Sequence, residues 1–421
     1  MDELKVNRNI VCIDLKSFFA SCECVERNLD PFKTPLVVAE PNRNGAITLA
    51  VTPYMKKMGV KSRSRIYEIP KNIKYMTVRP RMSLYVEKSK EVIDIYLDYV
   101  ASEDLHVYSI DECFLDLTNY MKLYKKSMRE IAKDILNSVY RTTGLCATAG
   151  IGPNMLLAKI AMDVEAKHNS DFIAEWDYSD VETKLWNITP LSNMWGIGSR
   201  MEKKLNSLGL YKVGDIAKYN KLKLKEKFGV IGEELWYHSN GIDLSKISDF
   251  NKESKEKSIS NSQVLYKDYY NNEINLIIEE ILMQLTKRLR KEKYTTGRVS
   301  FGITYSKVVG NGFYVSKRLD NQTNDSKELY KVLINIFDKY YEENTPIRKV
   351  SISLSKLDND DAMQLNLFEK MEDKIKAKNI NDTIDNINEK YGSNSLLKAT
   401  SLLDNSTIRD RNNKIGGHNA R

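Results

Sequence analysis

Apolar positions in the first 170 residues follow strand and helix periods in alternation, which predicts an α+β unit. The apolar run at residues 9–15 (NIVCIDL) indicates a buried strand, and SFFASCECVERN after it has helical spacing. LVVAE and ITLAV predict two short strands on either side of the turn-like PNRNG, followed by a helix at Pro53–Met58. HVYSIDECFLDLT predicts two strands joined by a bend. Helical sequence at 121–141, a strand in CATAGIG and a helix at 154–168 complete the unit.

The second half of the chain changes character twice. Helical and polar sequence continues to about Asn240, and the polar residues 241–256 indicate a linker. From Asp358 onward the Asn- and Lys-rich sequence has weak periodicity, which predicts an extended tail with one helix at most. Between linker and tail the pattern predicts a β-α-β-β-α-β order, with strands at 257–267, 297–307, 312–321 and 347–357 and helices at 272–292 and 325–343.

The length of the chain predicts several domains, and its charge indicates the kind of partner it binds. A chain of 421 residues is too long for one compact core, so several domains are expected. The net charge is +8, and residues 257–357 hold 17 Lys and Arg against 11 Asp and Glu, a net charge of +6. This basic module favours a polyanionic partner such as nucleic acid, although charge of this size does not establish one.

Other classes of protein are disfavoured by what the sequence lacks. No stretch approaches the ~18 apolar residues of a membrane span, and MDELKVNRNI has no apolar core of a signal peptide. The five cysteines lack CxxC spacing and the four histidines are scattered, so neither a disulfide framework nor a zinc site is expected. The sequence therefore predicts a cytoplasmic protein without a membrane partner.

Three carboxylates form the strongest candidate for chemistry. Asp14 ends the first predicted strand, and Asp111 and Glu112 lie at the bend of SIDECFLDL. If their strands are neighbours in one sheet, these groups repel one another unless cations neutralise them. Hard oxygen ligands suit Mg²⁺, and two such ions about 4 Å apart can activate a hydroxyl and stabilise a leaving pyrophosphate. The alternative is that each carboxylate is simply a water-facing residue at a turn or strand end.

Taken together, IDLKSFFASCE and YSIDECFLDL resemble the Y-family DNA polymerases of the bacterial UmuC/DinB type, over roughly residues 8–358. The resemblance implies an α+β, right-hand fold with palm, small fingers, helical thumb and a βαββαβ little finger. It assigns 1–30 and 78–170 to the palm, 31–77 to the fingers, 171–240 to the thumb, 241–256 to the linker, 257–357 to the little finger and 358–421 to the tail. It also implies that Asp14, Asp111 and Glu112 are catalytic and, with the Leu15 carbonyl, hold two Mg²⁺ ions.

The same resemblance identifies candidate contacts to the incoming dNTP. Phe19 matches the aromatic gate that excludes a 2′-hydroxyl, and Phe18 beside it is either a second contact or simply a core residue. AVTPYMKKMG resembles the fingers segment that binds triphosphate, which implicates Thr52, Tyr54 and Lys57. Lys57 stands where the family more usually has Arg, so it lacks bidentate geometry and Lys56 could share its role.

Lys159 in GIGPNMLLAKIAMD resembles the palm lysine that reaches the triphosphate. A cation at this position offsets charge on the transferring and leaving phosphates. Asp163 follows one helical turn later and is expected to orient Lys159 through an i,i+4 pair. The alternative is an ordinary surface lysine on a helix.

Three further segments resemble the family's DNA and partner contacts. MWGIGSRMEKKLNSLGLYKVG looks like a helix-hairpin-helix whose Gly196 and Gly198 free backbone amides to bind a phosphate. QLNLF in the tail resembles the peptide by which bacterial polymerases bind the sliding clamp, through Gln364, Leu365, Leu367 and Phe368. The candidate phosphate contacts of the little finger are Arg298, Lys307, Lys317, Arg318 and Lys349.

The function that the resemblance implies is low-fidelity, template-directed DNA synthesis past damaged bases, in DNA repair and the SOS response. Its expected partners are primer–template DNA, dNTPs and the sliding clamp, with a recombinase filament or accessory subunits for some relatives. One alternative is a non-catalytic, clamp-recruited DNA-binding accessory protein, which would keep the basic module and QLNLF but lose the carboxylates. Another is a nucleotide cyclase on a similar palm, which would need no grip on duplex DNA.

Overall fold

The protein is described here by a computed structural model that covers residues 2–41, 45–250, 256–360 and 371–420. It divides into two compact units, Met1–Glu253 with His418–Arg421, and Ser254–Gly417. Within these described ranges, none of the helices has the length and apolar character needed to cross a membrane.

Strands and helices alternate along the first unit. Its strands are β1 (Ile10–Leu15), β2 (Leu36–Val38), β3 (Ala50–Val51), β4 (Met76–Val78), β5 (Leu105–Val107), β6 (Glu112–Asp116), β7 (Ala147–Gly152) and β8 (Ile173–Glu175). Its α-helices are α1 (Phe18–Val25), α2 (Pro53–Lys57), α3 (Met82–Leu97), α4 (Met121–Tyr124), α5 (Met128–Thr143), α6 (Met155–Ala161), α7 (Asp180–Thr183), α8 (Ser199–Asn206), α9 (Val213–Lys218), α10 (Lys221–Phe228), α11 (Val230–Ser239) and α12 (Ile247–Phe250). A π-helical turn, Met162–Ala166, continues α6.

The central sheet of this unit has the strand order β5-β6-β1-β7-β8. The predicted apolar strand β1 lies in its middle and pairs antiparallel with β6 and β7. Side chains alternate along a strand, so β1 serves two cores. Val11, Ile13 and Leu15 pack with α1, α3 and α5, whereas Ile10 and Cys12 pack with α6 and the helices that follow it. By this alternation Asp14 lies on the α6 side of the sheet.

Helix α6 approaches β7 very closely because two glycines allow it. A Cβ atom at Gly150 would lie 2.0 Å from the carbonyl oxygen of Ala158, and one at Gly152 would lie 2.6 Å from the amide nitrogen of the same residue. The helix begins at Asn154, whose side chain accepts a hydrogen bond from the amide of Leu157 at 2.9 Å. The close packing places the α6 side chains beside the end of β1.

The fingers and the thumb of the first unit follow the prediction, whereas the end of the palm and the linker do not. A three-stranded sheet of order β3-β2-β4 forms the predicted fingers, and α7–α11 form the predicted helical thumb. Strand β8, however, pairs with β7 in the central sheet, so the palm extends past the predicted boundary at residue 170.

The predicted linker is wrong for residues 241–250, because they are packed against the unit. Asp243 is buried and accepts a hydrogen bond from the amide of Leu156 at 3.1 Å, at the start of α6. Ile247 in α12 lies in the core that α6 shares with the thumb helices. The remainder of the predicted linker, residues 251–255, lies outside the described residues. A polar capping residue looks the same in sequence whether it ends up buried or in solvent.

The second unit confirms the predicted β-α-β-β-α-β order. It contains β9 (Ser258–Tyr269), α13 (Ile274–Lys291), β10 (Tyr294–Tyr305), β11 (Gly312–Thr323), α14 (Ser326–Tyr340) and β12 (Ile347–Asn359). The antiparallel sheet has the order β11-β10-β12-β9, and its apolar face packs with α13 and α14 in one core.

The C-terminal tail is more structured than the prediction of an extended segment. It contains α15 (Met371–Tyr391) and α16 (Ile408–Arg411), followed by the short strands β13 (Lys414–Ile415) and β14 (His418–Asn419). The tail docks on α13 through polar contacts: the buried carboxylate of Glu280 accepts from Ser406 Oγ at 2.5 Å and from the Thr407 amide at 3.1 Å. Polar contacts of this kind leave no hydrophobic period in the sequence.

Candidate active site

The structure places the residues that carry the three predicted carboxylates at one end of β1. Asp14 and Glu112 are directly opposite each other in the antiparallel pair of β1 and β6. The amide of Leu15 donates to the carbonyl of Asp111 at 2.9 Å, which fixes the bend before β6 beside the end of β1. The side chain of Asp111 accepts from Ser109 Oγ at 2.7 Å. Residues about 100 positions apart in sequence thus share one edge of the sheet.

A row of alternating charges faces these carboxylates from α6. Lys159 Nζ lies 2.8 Å from Glu112 and 3.0 Å from Asp163, which confirms the predicted i,i+4 pair. Lys167 Nζ lies 2.8 Å from Asp163 and 2.9 Å from Asp14. Lys167 is not among the residues predicted from the sequence, although Lys, Asp and Lys recur there at successive intervals of four. The π-helical turn at Met162–Ala166 carries the row to Asp14, and such turns are common at functional sites.

Burial and neighbouring charges shift the pKa values of the carboxylates and lysines in this network. Burial raises the pKa of Asp14 and of Glu112, and the neighbouring lysines oppose that rise only in part. Burial by itself lowers the pKa of Lys159, but the acidic groups of Cys12, Asp163 and Glu112 outweigh it and raise that pKa above its ordinary value. The carboxylate end of the sheet is therefore a desolvated site that favours cations.

The residues at this edge suit a divalent cation in chemistry, since they offer carboxylate and carbonyl oxygens in a partly desolvated pocket. In the part of the chain that the structure describes, no three His, Cys, Asp or Glu side chains stand close enough together to hold a metal ion. Glu112 and Asp14 are instead directed at the ammonium groups of Lys159 and Lys167. The assignment of Asp14, Leu15, Asp111 and Glu112 to metal ions stays a prediction.

The two adjacent phenylalanines of α1 have different surroundings. Phe18 is 2% exposed and belongs to the core, which favours the core interpretation of this residue. Phe19 is half-buried, and its ring lies 4.7 Å from that of Tyr85. Tyr85 is fully buried and donates to the buried carboxylate of Glu23 at 2.7 Å, which fixes the surface against which Phe19 rests.

In the fingers, the residues predicted to bind the triphosphate differ in how far they are buried. Thr52 is fully buried; its hydroxyl donates to the Thr34 carbonyl at 2.7 Å and caps α2, so it supports the fold of this segment. Tyr54 is half-buried and Lys57 is exposed. Burial lowers the pKa of Lys56, and the charges of Asp14, Lys167 and Asp111 also act on it. Lys56 is therefore within electrostatic reach of the carboxylates.

The thumb hairpin lines the same cleft as the palm lysine. A cleft of 490 Å³ is bounded by Lys159 and Asp163 on one side and by the segment 192–198 on the other. Gly196, one of the two predicted hairpin glycines, has φ +89°, in the left-handed region that favours glycine. Gly198 precedes α8, whose first amides have no side-chain cap. The predicted hairpin residues and Lys159 therefore meet in one cleft.

In the second unit, the predicted basic residues do not share one face. Register places Ser316, Ser300, Ser353 and Ser260 in one row across the solvent face of the sheet. Arg298 and Arg318 are cross-strand partners on that face, and Lys349 lies opposite Thr304 on it. Lys317 is opposite the buried Val299 and so belongs to the other face, while Lys307 lies in the turn after β10. The predicted clamp peptide, Gln364 to Phe368, lies outside the described residues.

Comparison with known proteins gives consistent matches along the chain. The impB/mucB/samB family matches residues 13–163, its C-terminal domain matches 256–367, and the IMS family HHH motif matches 178–210. UvrX of Bacillus subtilis (strain 168), named for UV-damage repair, is 40% identical over 415 residues, 98% of this chain and 97% of that protein. DNA polymerase IV 2 of the same organism is 32% identical over 97% of this chain and 98% of its own.

Among solved structures, a Y-family DNA polymerase chimera has the same fold, with a TM-score of 0.67. The match covers 83% of this chain and 99% of the chimera at 20% sequence identity. At that identity the similarity concerns the fold alone.

Proposed function

Because this chain belongs to the impB/mucB/samB family of Y-family DNA polymerases, we propose that it copies damaged templates with low fidelity by two-metal nucleotidyl transfer, in DNA repair and the SOS response. As a member of this family it is a DNA-directed DNA polymerase that uses primer–template DNA and dNTPs. The observation that supports the mechanistic proposal is that Asp14 and Glu112 lie opposite each other in β1 and β6, each paired with a lysine that follows β7, with Asp111 at the adjoining bend.

Divalent metal use follows from the family, and we assign two Mg²⁺ ions to Asp14, Asp111, Glu112 and the Leu15 carbonyl. Such ions, when bound, lower the pKa of the primer 3′-hydroxyl and neutralise charge on the departing pyrophosphate. The buried position of Glu112 and Asp14 makes their interaction with any cation stronger than it would be in water.

The chain's own cations have a separate part in this proposal. Lys159 and Lys167 hold positive charge at the carboxylates, and Lys56 approaches them from α2. A triphosphate entering between these elements offers oxygens that compete with the carboxylates for the ammonium groups. Fixed cations of this kind stabilise the charge that develops on the phosphates during transfer.

Selection of deoxyribose is assigned to Phe19. Its ring is half-buried and rests on Tyr85, so it has little freedom to move away from a sugar that enters above it. A 2′-hydroxyl would then collide with the ring. This is the role that the resemblance gave to Phe19.

We assign DNA binding to backbone amides and basic side chains, which contact DNA independently of its sequence. The amides that follow Gly198, at the start of α8, have no side-chain cap and can bind a phosphate. On the sheet of the second unit, Arg298, Arg318 and Lys349 surround a face of small hydroxyl side chains that a phosphate backbone can approach. Recruitment by a sliding clamp, dependence on a recombinase filament or accessory subunits, and a cytoplasmic location are proposed from the sequence alone.

The test of this function is extension of a labelled primer on undamaged and abasic templates. We expect Mg²⁺-dependent synthesis that crosses the abasic site, and a loss of roughly 1000-fold in Asp111→Ala or Glu112→Ala, since a charge-stabilising group is removed. Binding of primer–template DNA should persist in both variants. Glu175→Ala, at the exposed end of β8, is the control and should extend primers normally.

Two results would count against the proposal. Full extension by Asp111→Ala would remove the metal assignment. Absence of synthesis by the wild type, even with a sliding clamp added, would favour the non-catalytic accessory protein.

A further inference from the structure

Three aromatic side chains connect the carboxylate strand to the thumb hairpin. Tyr108, Phe114 and Trp195 have ring centroids 5.8 to 6.1 Å apart, and Tyr108 meets both of the others edge to face. These separations lie in the range in which aromatic pairs attract one another. Trp195 Nε1 also donates to the Tyr108 hydroxyl at 3.2 Å. We call this group the aromatic bridge.

The palm end of the aromatic bridge is attached to Glu112. The amide of Tyr108 donates to the carbonyl of Glu112 at 3.0 Å, so its backbone is fixed to the first residue of β6. Phe114 lies two residues after Glu112, is fully buried, and stands opposite Cys12 of β1. Tyr108 and Phe114 are therefore both attached to the strand that carries the carboxylate.

The thumb end of the aromatic bridge lies inside the hairpin. Met194 and Ile197 are buried in the thumb core, whereas Trp195 between them points toward the palm. Gly196 and Gly198 follow directly. The cleft of 490 Å³ is lined by Tyr108 and Trp195 as well as by Lys159 and both glycines. The contact of Trp195 with the two palm rings thus connects the predicted phosphate-binding amides with the predicted catalytic groups.

We propose that Tyr108 and Trp195 are positioning residues that hold the hairpin amides at a fixed place relative to Glu112 and Lys159. A primer strand whose phosphates are bound by the hairpin then presents its 3′-hydroxyl at the carboxylates. This inference rests on the proposed polymerase function. Because Tyr108 is 47% exposed, water competes for its hydrogen bond, and the ring contacts carry most of the effect.

The experiment measures single-nucleotide incorporation in single turnover, with enzyme in excess so that weaker DNA binding does not limit the rate. Trp195→Ala and Tyr108→Ala should each lower the maximal rate by about tenfold, since small misplacements of reacting groups have effects of this order or larger. The Kd for dNTP should change little, because Lys159 is held in place by Glu112 and Asp163 and not by either ring. The double variant should be no slower than the slower single variant, because both changes break the same bridge.

Two further variants separate positioning from stability. Trp195→Phe keeps a ring in the bridge and should restore most of the rate. Trp236→Ala is the matched control: Trp236 is a half-buried thumb residue whose indole donates to the Tyr219 carbonyl at 3.0 Å, within the thumb. It should lower the stability of the thumb while leaving the incorporation rate unchanged.

A second readout needs no catalysis. 2-Aminopurine at the primer terminus reports where the terminus lies in the binary complex, and its emission should change in Trp195→Ala but not in Trp236→Ala. Unchanged rate and emission in both bridge variants, additive losses in the double variant, or an equal loss in Trp236→Ala would each overturn the inference. If the emission changes in Trp195→Ala but the wild type binds DNA and never extends a primer, the proposed function is contradicted and the positioning role is left in place.

Discussion

Phe18 and Phe19 show how much the role of a residue depends on which side of its helix it occupies. Phe18 is packed among the core residues of α1, α3 and α5, whereas Phe19 lies at the edge of that core against Tyr85. Both are aromatic and both follow the same strand, so their chemistry is equal. Only Phe19 has a surface that a substrate can touch.

This difference predicts different phenotypes for two adjacent substitutions. Phe19→Ala removes the gate, so the preference in kcat/KM for dCTP over CTP should fall by roughly tenfold to a hundredfold. Phe18→Leu keeps the core filled, so it should cost roughly 1 kcal/mol of stability and leave the preference unchanged. If Phe19→Ala retains the wild-type preference, the gate is another residue.

At the scale of secondary-structure elements, the C-terminal tail depends on one helix of the second unit. Glu280 on α13 is 1% exposed and also accepts from Thr407 Oγ1 at 3.0 Å. Farther along α13, Arg290 donates to Asp385 of α15 at 2.7 Å. A buried carboxylate with three donors is costly to leave unpaired, so these contacts define where the tail can dock.

Two neighbouring glutamates test this docking. Glu280→Ala leaves the Ser406 and Thr407 donors without their acceptor, and we expect a loss of about 3 kcal/mol together with faster proteolysis between residues 392 and 407. Glu279→Ala removes only a partly exposed ion pair with Lys398 and should have little effect. Equal proteolysis of the two variants in a time course would show that the tail does not depend on Glu280.

At the scale of the whole molecule, charge is distributed unevenly. The chain has a net charge of +8, and residues 257–357 contribute +6 of it. Within that module Arg318 is on the hydroxyl-lined face of the sheet, whereas its neighbour Lys317 is on the opposite face. Binding that relies on such groups releases counterions from DNA and weakens as salt increases.

Because adjacent basic residues lie on opposite faces of the sheet, their substitutions should differ in their effect on the salt dependence of DNA binding. Arg318→Gln should reduce the slope of log Kd against log salt concentration for primer–template DNA by about one, since one phosphate contact is lost. Lys317→Gln changes the net charge equally and should leave the slope as it is in the wild type. Fluorescence anisotropy from low to moderate salt measures both slopes, and equal slopes would show that net charge, not the face, determines binding.

Most elements could be predicted because they repeat a local pattern. The strand β1, the helices of the first unit and the βαββαβ order all carry apolar periods that are visible without the fold. The linker prediction failed for residues 241–250 because Asp243 is a polar residue that caps α6 from a distant part of the sequence. The tail prediction failed for a similar reason, since the contacts of Glu280 with Ser406 and Thr407 join residues about 126 positions apart.

The sequence by itself determined which chemical groups this protein has: the carboxylates, the Lys159, Asp163 and Lys167 series, the paired phenylalanines and the hairpin glycines. Their motifs are local, and the resemblance they support identified the family. Tertiary structure alone decided which of these groups meet. The close approach of α6 to β7 at Gly150 joins Lys159 to Glu112, and Lys167 reaches Asp14 only through the π-helical turn. Tyr108 and Trp195 have no common motif, because packing between sequence-distant elements is a property of the folded chain.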